Sequence, residues 1–286
     1  MTQDYWRWPE STWTSKDIDW KNSSTITAGV DIGSNSTQAV VMCDNSLFGY
    51  ANLRTGPDYR ESAGQAMKQA LGKSGMTIRD IKYTVATGWG SRNVAFAQKI
   101  VDEVNCHARG ARFIYGSSVK TVVDLGAQTC KAIRLYDWGR VSDFMMNDKC
   151  ATGMGRGIEV MADLLQVPIQ EMGERSLTVG KDPEPVSTTC YDFANTEAIG
   201  LFREGYKENE VLAAYLFAIA WRIHGTVGKV NPEKELAFTG GLAKNAGIVK
   251  RLERDMKMTA LTSEYDPQLA GAIGAALIAR DTVEKD

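Results

Sequence analysis

The sequence has no excess of positive charge, no apolar run of membrane length and, in its opening residues, no pattern of a secretory signal. There are 33 Lys and Arg residues against 35 Asp and Glu residues, a net charge of −2, which excludes nucleic-acid binding driven by bulk charge. The longest apolar stretches, 211–221 and 270–279, are shorter than the roughly 20 residues that a bilayer span needs. The opening residues MTQDYWRWPE lack the basic-then-apolar order of a secretory signal. We therefore expect a cytoplasmic protein with no nucleic-acid or membrane partner.

Cysteine is sparse, and no two cysteines form a C-x-x-C pair. Five cysteines in 286 residues are too few for a disulfide scaffold, and their spacing excludes a self-contained zinc ribbon or a ferredoxin-type cluster. Any metal site must therefore be assembled from distant cysteines or from two chains. The candidates are Cys43, Cys106, Cys130, Cys150 and Cys190.

The composition that remains is ordinary for a globular protein, with 43% hydrophobic and 24% charged residues, and the length favours about two domains. From Thr25 onward, strand patterns alternate with helical patterns, which predicts an α/β protein. Residues 1–24 differ, because they contain Trp6, Trp8, Trp13 and Trp20 among polar residues and match neither a helix nor a strand. We expect this arm either to pack on its own domain or to dock on a partner subunit.

One stretch of sequence occurs twice. GVDIGSNSTQAVVM, which contains Asp31, returns in altered form as VVDLGAQTCKAIRL, which contains Asp124. Each copy predicts a strand, a tight turn and a second strand. This duplication predicts two related α/β halves facing a cleft.

The turn in the first copy has the composition of a phosphate-binding turn. Gly33 permits a close approach of the backbone, and the next four residues supply N–H and side-chain donors. The acidic residues at the two strand ends, Asp31 and Asp124, are suited to hold Mg²⁺ through water. Either turn alone is also compatible with an ordinary Gly-Ser hairpin. The donors are Ser34, Asn35, Ser36 and Thr37, and the glycine of the second turn is Gly126.

A third motif, FTGGLAKNAGIVKRLE, predicts a strand that ends in Gly240 and Gly241 and a helix that begins near Asn245. Taken alone, it is also compatible with a loose helix entry. In the order D-x-G, D-x-G-x-Q, T-G-G-x-x-x-N, the three motifs resemble the actin/Hsp70/hexokinase superfamily over about residues 25–280. That resemblance implies a duplicated two-lobe ATPase fold with ATP between the lobes, its phosphates on the two turns and its adenosine against 240–245.

The resemblance also implies a domain division. Residues 1–24 are the arm, 25–118 form lobe I, and 119–266 form lobe II with Cys150 and Cys190. The C-terminal helix, 267–286, returns to lobe I.

Cys150 and Cys190 each precede a predicted helix, in NDKCATGMGRGIEVMADLL and PVSTTCYDFANTEAIG. The start of a helix stabilises a thiolate or an anionic cluster, although two buried structural cysteines fit the sequence as well. Both contexts resemble the activator and ATPase subunits of the benzoyl-CoA reductase and 2-hydroxyacyl-CoA dehydratase family. VATGWGSRN, VNCHARGARF and LAGAIGAALIA extend the resemblance. It implies that Cys150 and Cys190 of each protomer hold one 4Fe–4S cluster across a dimer.

Three positions depart from this family's usual pattern. Gln38 replaces a Lys, and Ala127 and Thr129 replace a Gly and an Asp of the second turn. The loss of the acid argues against a general base at position 129. Gln128 is retained, and a Gln can orient the attacking water without accepting its proton. We therefore expect ATP hydrolysis to be kept.

The function implied by the resemblance is that of an ATP-hydrolysing, 4Fe–4S electron-transfer subunit of benzoyl-CoA reductase, with Mg²⁺ and ATP as further cofactors. Its partners would be a related ATPase subunit, the benzoyl-CoA-binding iron–sulfur subunits and reduced ferredoxin, and the product a cyclic diene. The alternative within the family is a homodimeric activator of a 2-hydroxyacyl-CoA dehydratase. Outside it, a small-molecule kinase or an actin-like scaffold protein of the same fold remains open.

Overall fold

The computed structural model describes residues 4–147, 154–187 and 191–285. The chain divides into two compact units, each named here after its turn aspartate. The Asp31 unit comprises Glu10–Val119, Leu135–Ser142 and Thr262–Asp286; the Asp124 unit comprises Met1–Pro9, Lys120–Arg134 and Asp143–Leu261. Residues 119, 135–142 and 262–266, expected in lobe II, thus group with the Asp31 unit, and the arm is divided between the two units after Pro9.

The Asp31 unit is built on a six-stranded sheet in which β2 pairs antiparallel with β3 and parallel with β5. Its strand order is β1-β4-β3-β2-β5-β6. The strands are β1 (Ser11–Thr14), β2 (Ile26–Ile32), β3 (Ser36–Cys43), β4 (Ser46–Arg54), β5 (Tyr83–Thr87) and β6 (Lys99–Ile100). The helices are α1 (Tyr59–Leu71), α2 (Glu103–Tyr115) and α8 (Ala270–Val283).

Helices cover both faces of this sheet, which explains why β2 and most of β3 are buried throughout. Alternate residues of β3 enter different cores. Val41 lies in the cluster with α1, whereas Val40 and Met42 lie in the cluster with α2 and α8. Strand periodicity places successive side chains on opposite faces, so one strand contributes to two cores.

The helix α8 contacts β2 and α2 at backbone distance. A Cβ added at Gly29 would overlap the carbonyl of Ala272, and one added at Gly110 would overlap that of Ala270. A Cβ at Gly274 would overlap the carbonyl of Cys106. The segment AGAIGAALIA is therefore rich in Gly and Ala because larger side chains do not fit between these elements.

The N-terminal arm contains a strand, contrary to the sequence-based expectation. β1 pairs antiparallel with β4, and the Trp13 ring stacks on Tyr50 with centroids 6.1 Å apart. Trp and Thr favour extended backbone on a half-buried surface, and a four-residue strand is too short to show alternation in the sequence. Trp6 and Trp8 pack on the core of the Asp124 unit, and Trp20 packs on that of the Asp31 unit. The described part of the arm thus packs on its own chain.

The Asp124 unit repeats the β2–β3–β5 arrangement on a smaller scale. β7 pairs antiparallel with β8 and parallel with β10 in a sheet of order β10-β7-β8-β9. The strands are β7 (Thr121–Leu125), β8 (Cys130–Leu135), β9 (Val141–Met146) and β10 (Leu236–Thr239). The helices are α3 (Gly155–Leu165), α4 (Ile169–Ser176), α5 (Tyr191–Arg203), α6 (Glu208–Val227) and α7 (Ala246–Met256).

One helical stretch, Glu208–Val230, is long and apolar enough to cross a membrane when judged by length and composition. The apolar run visible in the sequence, 211–221, is shorter than this helical stretch, because polar residues flank it on both sides. Within the protein, 67% of its apolar window is buried, and α6 packs on α4, α5 and α7. That burial is what a core helix of a folded domain has.

Candidate nucleotide site

The first turn is closed by its own backbone. β2 ends at Ile32, the Gly33 N–H donates to the Ser36 carbonyl at 2.9 Å, and β3 begins at Ser36. Residues 33–36 are half-buried, whereas Ile32 before them and Thr37 after them are buried. Thr55 supports the turn from β4's end, because its N–H donates to the Asn35 carbonyl at 3.0 Å and its hydroxyl to the Gly33 carbonyl at 2.9 Å.

Two of the hydroxyls predicted to face phosphate have partners within the unit. Because Thr55 donates its proton to Gly33, the Thr37 hydroxyl, 2.8 Å from that of Thr55, is the donor of this pair. Thr37 is fully buried, so its hydroxyl holds the turn in shape. The Ser36 hydroxyl accepts from the Gln268 amide at 2.8 Å, which leaves its own proton for another acceptor.

The second turn has the same backbone geometry. The Gly126 N–H donates to the Thr129 carbonyl at 2.9 Å, the same distance as in the first turn. Gly126, Ala127, Gln128 and Thr129 are half-buried, as are the residues of the first turn. The duplication seen in the sequence is thus a duplication of backbone shape.

The two aspartates have different partners across their hairpins. Lys131 lies opposite Asp124 in register, and its Nζ is 2.9 Å from Asp124 Oδ2 and 3.2 Å from Thr129 Oγ1. The side chains of Lys131 and Asp124 are each only 3% exposed. Gln38 occupies the register position opposite Asp31, but its amide donates to Asn52 at 2.8 Å.

Asp31 instead lies close to a histidine on another element. His107 Nε2, on α2, is 3.7 Å from Asp31 Oδ2, and both residues are buried. A Cβ at Gly88 would overlap Asp31 Oδ1, and one at Gly271 would overlap Oδ2, so both glycines lie directly against the carboxylate. This contact was not predicted from the sequence.

The third motif is also duplicated, a relation that the sequence-based prediction missed. Thr239 pairs with Asp124 and Thr87 pairs with Asp31, each on the neighbouring parallel strand. The glycines that follow, Gly240 and Gly88, have positive φ angles of 84° and 85°. The signal was present as ATG in VATGWG and FTG in AFTGGL.

Asn245 lies where the third motif meets its helix. Gly241 begins a short 3₁₀ turn that ends at Lys244, and the Asn245 side-chain oxygen caps α7 by accepting from the Ile248 N–H at 3.1 Å. Asn245 is 2% exposed, and its Nδ2 is buried without a hydrogen-bond partner among the described residues. A buried amide of this kind is costly unless something accepts from it, which is the role that a bound nucleotide would have here.

The second turn is hydrogen-bonded directly to the start of α3. The Gly155 N–H donates to the Gly126 carbonyl at 3.4 Å, and the Arg156 N–H donates to the Ala127 carbonyl at 3.0 Å. A Cβ at Gly155 would lie 3.0 Å from Ala127 Cα, which explains the glycine there. The predicted phosphate turn therefore contacts the helix that follows Cys150 in the sequence.

Cys150 and Cys190, the predicted cluster ligands, lie outside the described residues. The flanking helices fit that assignment, because α3 begins at Gly155, shortly after Cys150, and α5 begins at Tyr191, directly after Cys190. Helix starts favour thiolate and anionic clusters.

The other three cysteines, Cys43, Cys106 and Cys130, are free and buried. Burial raises the pKa of all three thiols, that of Cys106 to about 12. Buried cysteines in apolar surroundings of this kind are typical structural residues of a protein core.

Within the described ranges, no group of three or more His, Cys, Asp or Glu side chains is arranged to hold a metal ion. Asp31 and Asp124 nevertheless fit Mg²⁺, because this ion keeps several waters and takes much of its coordination from nucleotide phosphates. One or two carboxylates are all that such a site needs from the protein.

The family model for the BadF/BadG/BcrA/BcrD ATPases matches residues 28–279. The chain belongs to this family. The activator of lactoyl-CoA dehydratase from Anaerotignum propionicum is 38% identical to this family member over 259 residues, 91% of this chain and 99% of the relative. A benzoyl-CoA reductase subunit from Thauera aromatica is 31% identical over 263 residues, 88% and 92% of the two chains.

Solved structures agree with this assignment. The activator of the 2-hydroxyisocaproyl-CoA dehydratase from Clostridium difficile, with bound ADPNP, aligns with this ATPase family member at a TM-score of 0.85 and 33% identity, covering 91% and 96% of the two chains. A ROK family glucokinase from Streptomyces griseus aligns at a TM-score of 0.57 and 13% identity over 90% and 99% of the chains, which shows the fold alone. The predicted α/β fold of the actin-like ATPases and sugar kinases is thus confirmed.

The family expected from the sequence is confirmed, but the preference within it is not supported. The dehydratase activators match this ATPase more closely than the benzoyl-CoA reductase relative does.

Proposed function

We propose that this ATPase is the activator of a 2-hydroxyacyl-CoA dehydratase, to which it delivers low-potential electrons at the expense of ATP. The observation that carries the proposal is the pair of backbone hydrogen bonds between the second turn and the start of α3. A change at the phosphates would displace Gly126 and Ala127. Their hydrogen bonds would pass this displacement to the helix that follows Cys150. Nucleotide hydrolysis and electron delivery then share one mechanical link.

In this proposal each unit contributes one phosphate-binding turn. The backbone of 33–36 and that of 126–129 hold phosphate oxygens, while Asp31 and Asp124 hold Mg²⁺ through water. Gln128 orients the attacking water. Adenosine lies against Gly240, Gly241 and Asn245, where the buried Nδ2 of Asn245 gains an acceptor.

A 4Fe–4S cluster held by Cys150 and Cys190 of two copies would supply the low-potential electron. Cys43, Cys106 and Cys130 are buried among core residues, which supports assigning the ligand role to the other two cysteines. We further propose a cytoplasmic homodimer, a 2-hydroxyacyl-CoA dehydratase as the electron acceptor and reduced ferredoxin as the donor.

A permanent subunit of benzoyl-CoA reductase is the second candidate. It is supported by the 31% identity to the reductase relative from Thauera aromatica. It differs from the first candidate in its assembly, because such a subunit pairs with a related, non-identical ATPase and with benzoyl-CoA-binding iron–sulfur subunits. A small-molecule kinase is supported by likeness of fold alone.

Purification without oxygen tests the cluster. We expect about four iron atoms per two chains, lost in Cys150→Ser and in Cys190→Ser. Cys43→Ser is the matched control, because Cys43 is buried at the end of β3, and it should keep the iron. ATP binding should survive in all three variants. Equal iron in the wild type and the three variants, or its absence from the wild type, would contradict the proposal.

The acceptor is tested with the purified ATPase and a resting 2-hydroxyacyl-CoA dehydratase. Together with Mg-ATP and a strong reductant, the wild type should switch on the dehydratase. Failure there, combined with co-purification of further iron–sulfur subunits that reduce benzoyl-CoA, would favour the second candidate.

A further inference from the structure

We infer that His107 is the positioning residue for Asp31, the counterpart in the first turn of what Lys131 is for Asp124 in the second. The inference deepens the proposed function and rests on it, because it assumes that Asp31 holds Mg²⁺ with its water. It assigns a role to a buried residue that the nucleotide motifs do not include.

The first step concerns what the carboxylate of Asp31 touches. His107 Nε2 lies 3.7 Å from Asp31 Oδ2, and the two side chains are 5% and 10% exposed. This separation is longer than a hydrogen bond, so the imidazole acts on the carboxylate as a close polar neighbour. Inside a protein, where water is scarce, such a neighbour has a larger electrostatic effect than at the surface.

The second step concerns why His107 stays there. Asp102 caps α2 by accepting from the Asn105 N–H at 2.9 Å, which sets the start of the helix. The close backbone contacts of Gly110 with Ala270 and of Cys106 with Gly274 then hold α2 against α8. His107 lies between these two contacts in the sequence, so its position is fixed by backbone packing.

The third step shows that α8 brings the two groups together. A Cβ at Gly271, in the first turn of α8, would overlap Asp31 Oδ2 and would lie 3.1 Å from His107 Nε2. The carboxylate and the imidazole therefore meet over the same stretch of helix backbone. A larger residue at 271 would separate them.

The fourth step is the comparison with the second turn. There Lys131 is opposite the aspartate and pairs with it at 2.9 Å. In the first turn the opposite residue is Gln38, whose amide is turned to Asn52. In the first turn, a polar neighbour of the aspartate thus lies on a helix, at His107.

A group that orients a carboxylate next to a metal-bound water acts on metal affinity more than on nucleotide affinity. Loss of a hydrogen-bonded outer-shell partner typically lowers metal affinity or activity about 10- to 100-fold, and the longer contact of His107 places its effect at the low end of this range. A residue that only fills the core would instead lower stability and leave the response to Mg²⁺ unchanged.

The experiment measures binding of a fluorescent ATP analogue to the whole chain, with EDTA and over a Mg²⁺ titration, together with thermal unfolding. In His107→Leu we expect the Mg²⁺ concentration for half-saturation to rise about tenfold, while binding in EDTA is unchanged. His107→Gln, which retains an amide nitrogen near the Nε2 position, should recover most of the loss. His107→Phe keeps the ring without its nitrogens and replaces the Leu variant if that variant does not fold.

Two further variants complete the test. His224→Leu changes the chain's other histidine, which is half-buried on α6, and should match the wild type. In an Asp31→Asn background, His107→Leu should add nothing, because the residue acts through Asp31.

The outcomes separate the two proposals. If Asp31→Asn leaves the Mg²⁺ response unchanged, the proposed function fails at this residue. If Asp31→Asn acts as expected but His107→Leu and His107→Phe respond to Mg²⁺ like the wild type, the inference about His107 is wrong. It is also wrong if the effects of Asp31→Asn and His107→Leu simply add.

Discussion

The turn after β2 and the turn after β7 have one backbone shape and two different charge arrangements. In both, a glycine N–H donates to the carbonyl three residues later at 2.9 Å, and a positive-φ glycine follows the neighbouring parallel strand. Around the aspartates the resemblance ends. Asp124 forms a buried ion pair with Lys131, whereas Asp31 lies near His107 and opposite a neutral Gln38.

This difference shows that shape and charge diverge independently after a duplication. The shape of each turn depends on a backbone hydrogen bond and on a glycine that lies close to the carbonyl three residues later. The charge at each aspartate depends on a single side chain, which a different element can supply. The two turns can therefore bind similar phosphate groups and still respond differently to the same substitution.

The largest difference is expected when each aspartate is neutralised. Asp124→Asn leaves Lys131 buried without its counter-charge, which should cost about 3–5 kcal/mol of the free energy of unfolding. Asp31→Asn leaves no buried lysine behind and should cost about 1 kcal/mol. Urea unfolding of both variants checks this.

The control for that prediction is the double variant Asp124→Asn, Lys131→Met. Removal of both partners of a buried pair is often nearly neutral, so much of the lost stability should return. Equal unfolding midpoints for Asp31→Asn and Asp124→Asn would show that the two turns are alike in charge as well as in shape.

A matched pair of glycine substitutions tests the shared shape. Gly88→Ala and Gly240→Ala each place a Cβ on a residue with positive φ and against an aspartate carboxylate. Each should cost about 2 kcal/mol, and the two losses should be similar. Gly64→Ala, in the middle of α1 with open space around the new methyl group, should be neutral or stabilising. A strong effect at only one of the two turns would mean that their backbones are not equivalent.

A smaller effect is expected from making the charges alike. Gln38→Lys places an amine opposite Asp31, at the register position that Lys131 occupies opposite Asp124. In the His107→Leu background it should restore most of the roughly tenfold loss in Mg²⁺ response, because the amine replaces the imidazole as a polar neighbour of Asp31. Gln38→Met in the same background should restore nothing. Equal Mg²⁺ titrations for the Gln38→Lys and Gln38→Met variants would contradict this prediction.

The smallest effect is expected inside the first turn. Thr37→Val removes a buried hydroxyl that donates to Thr55, at a cost of about 1 kcal/mol in the free energy of unfolding. It should weaken nucleotide binding less than Ser34→Ala does, because the Thr37 proton is already engaged. A larger loss of affinity in Thr37→Val than in Ser34→Ala, measured with the fluorescent analogue, would contradict this.

The structural features that were predicted correctly from the sequence are those determined by short stretches of residues. The strand–turn–strand units around Asp31 and Asp124 have local signals, because glycine and alternating apolar residues specify them within a few positions. The contact of His107 with Asp31 joins residues far apart in the sequence, and no spacing rule predicts it. β1 was missed because its stability comes from pairing with β4 and from the stacking of Trp13 on Tyr50, which are tertiary contacts.

The absence of side chains between α8 and its neighbours has a consequence for how force moves through the Asp31 unit. Most packed helices meet through layers of side chains, which change rotamer and absorb small displacements. At Gly29, Gly110 and Gly274 the main chains are in direct contact, so no layer of side chains is present there to absorb a displacement. The helix and the elements that it touches must then move as one stiff body, and Asp31, in contact with Gly271, moves with them.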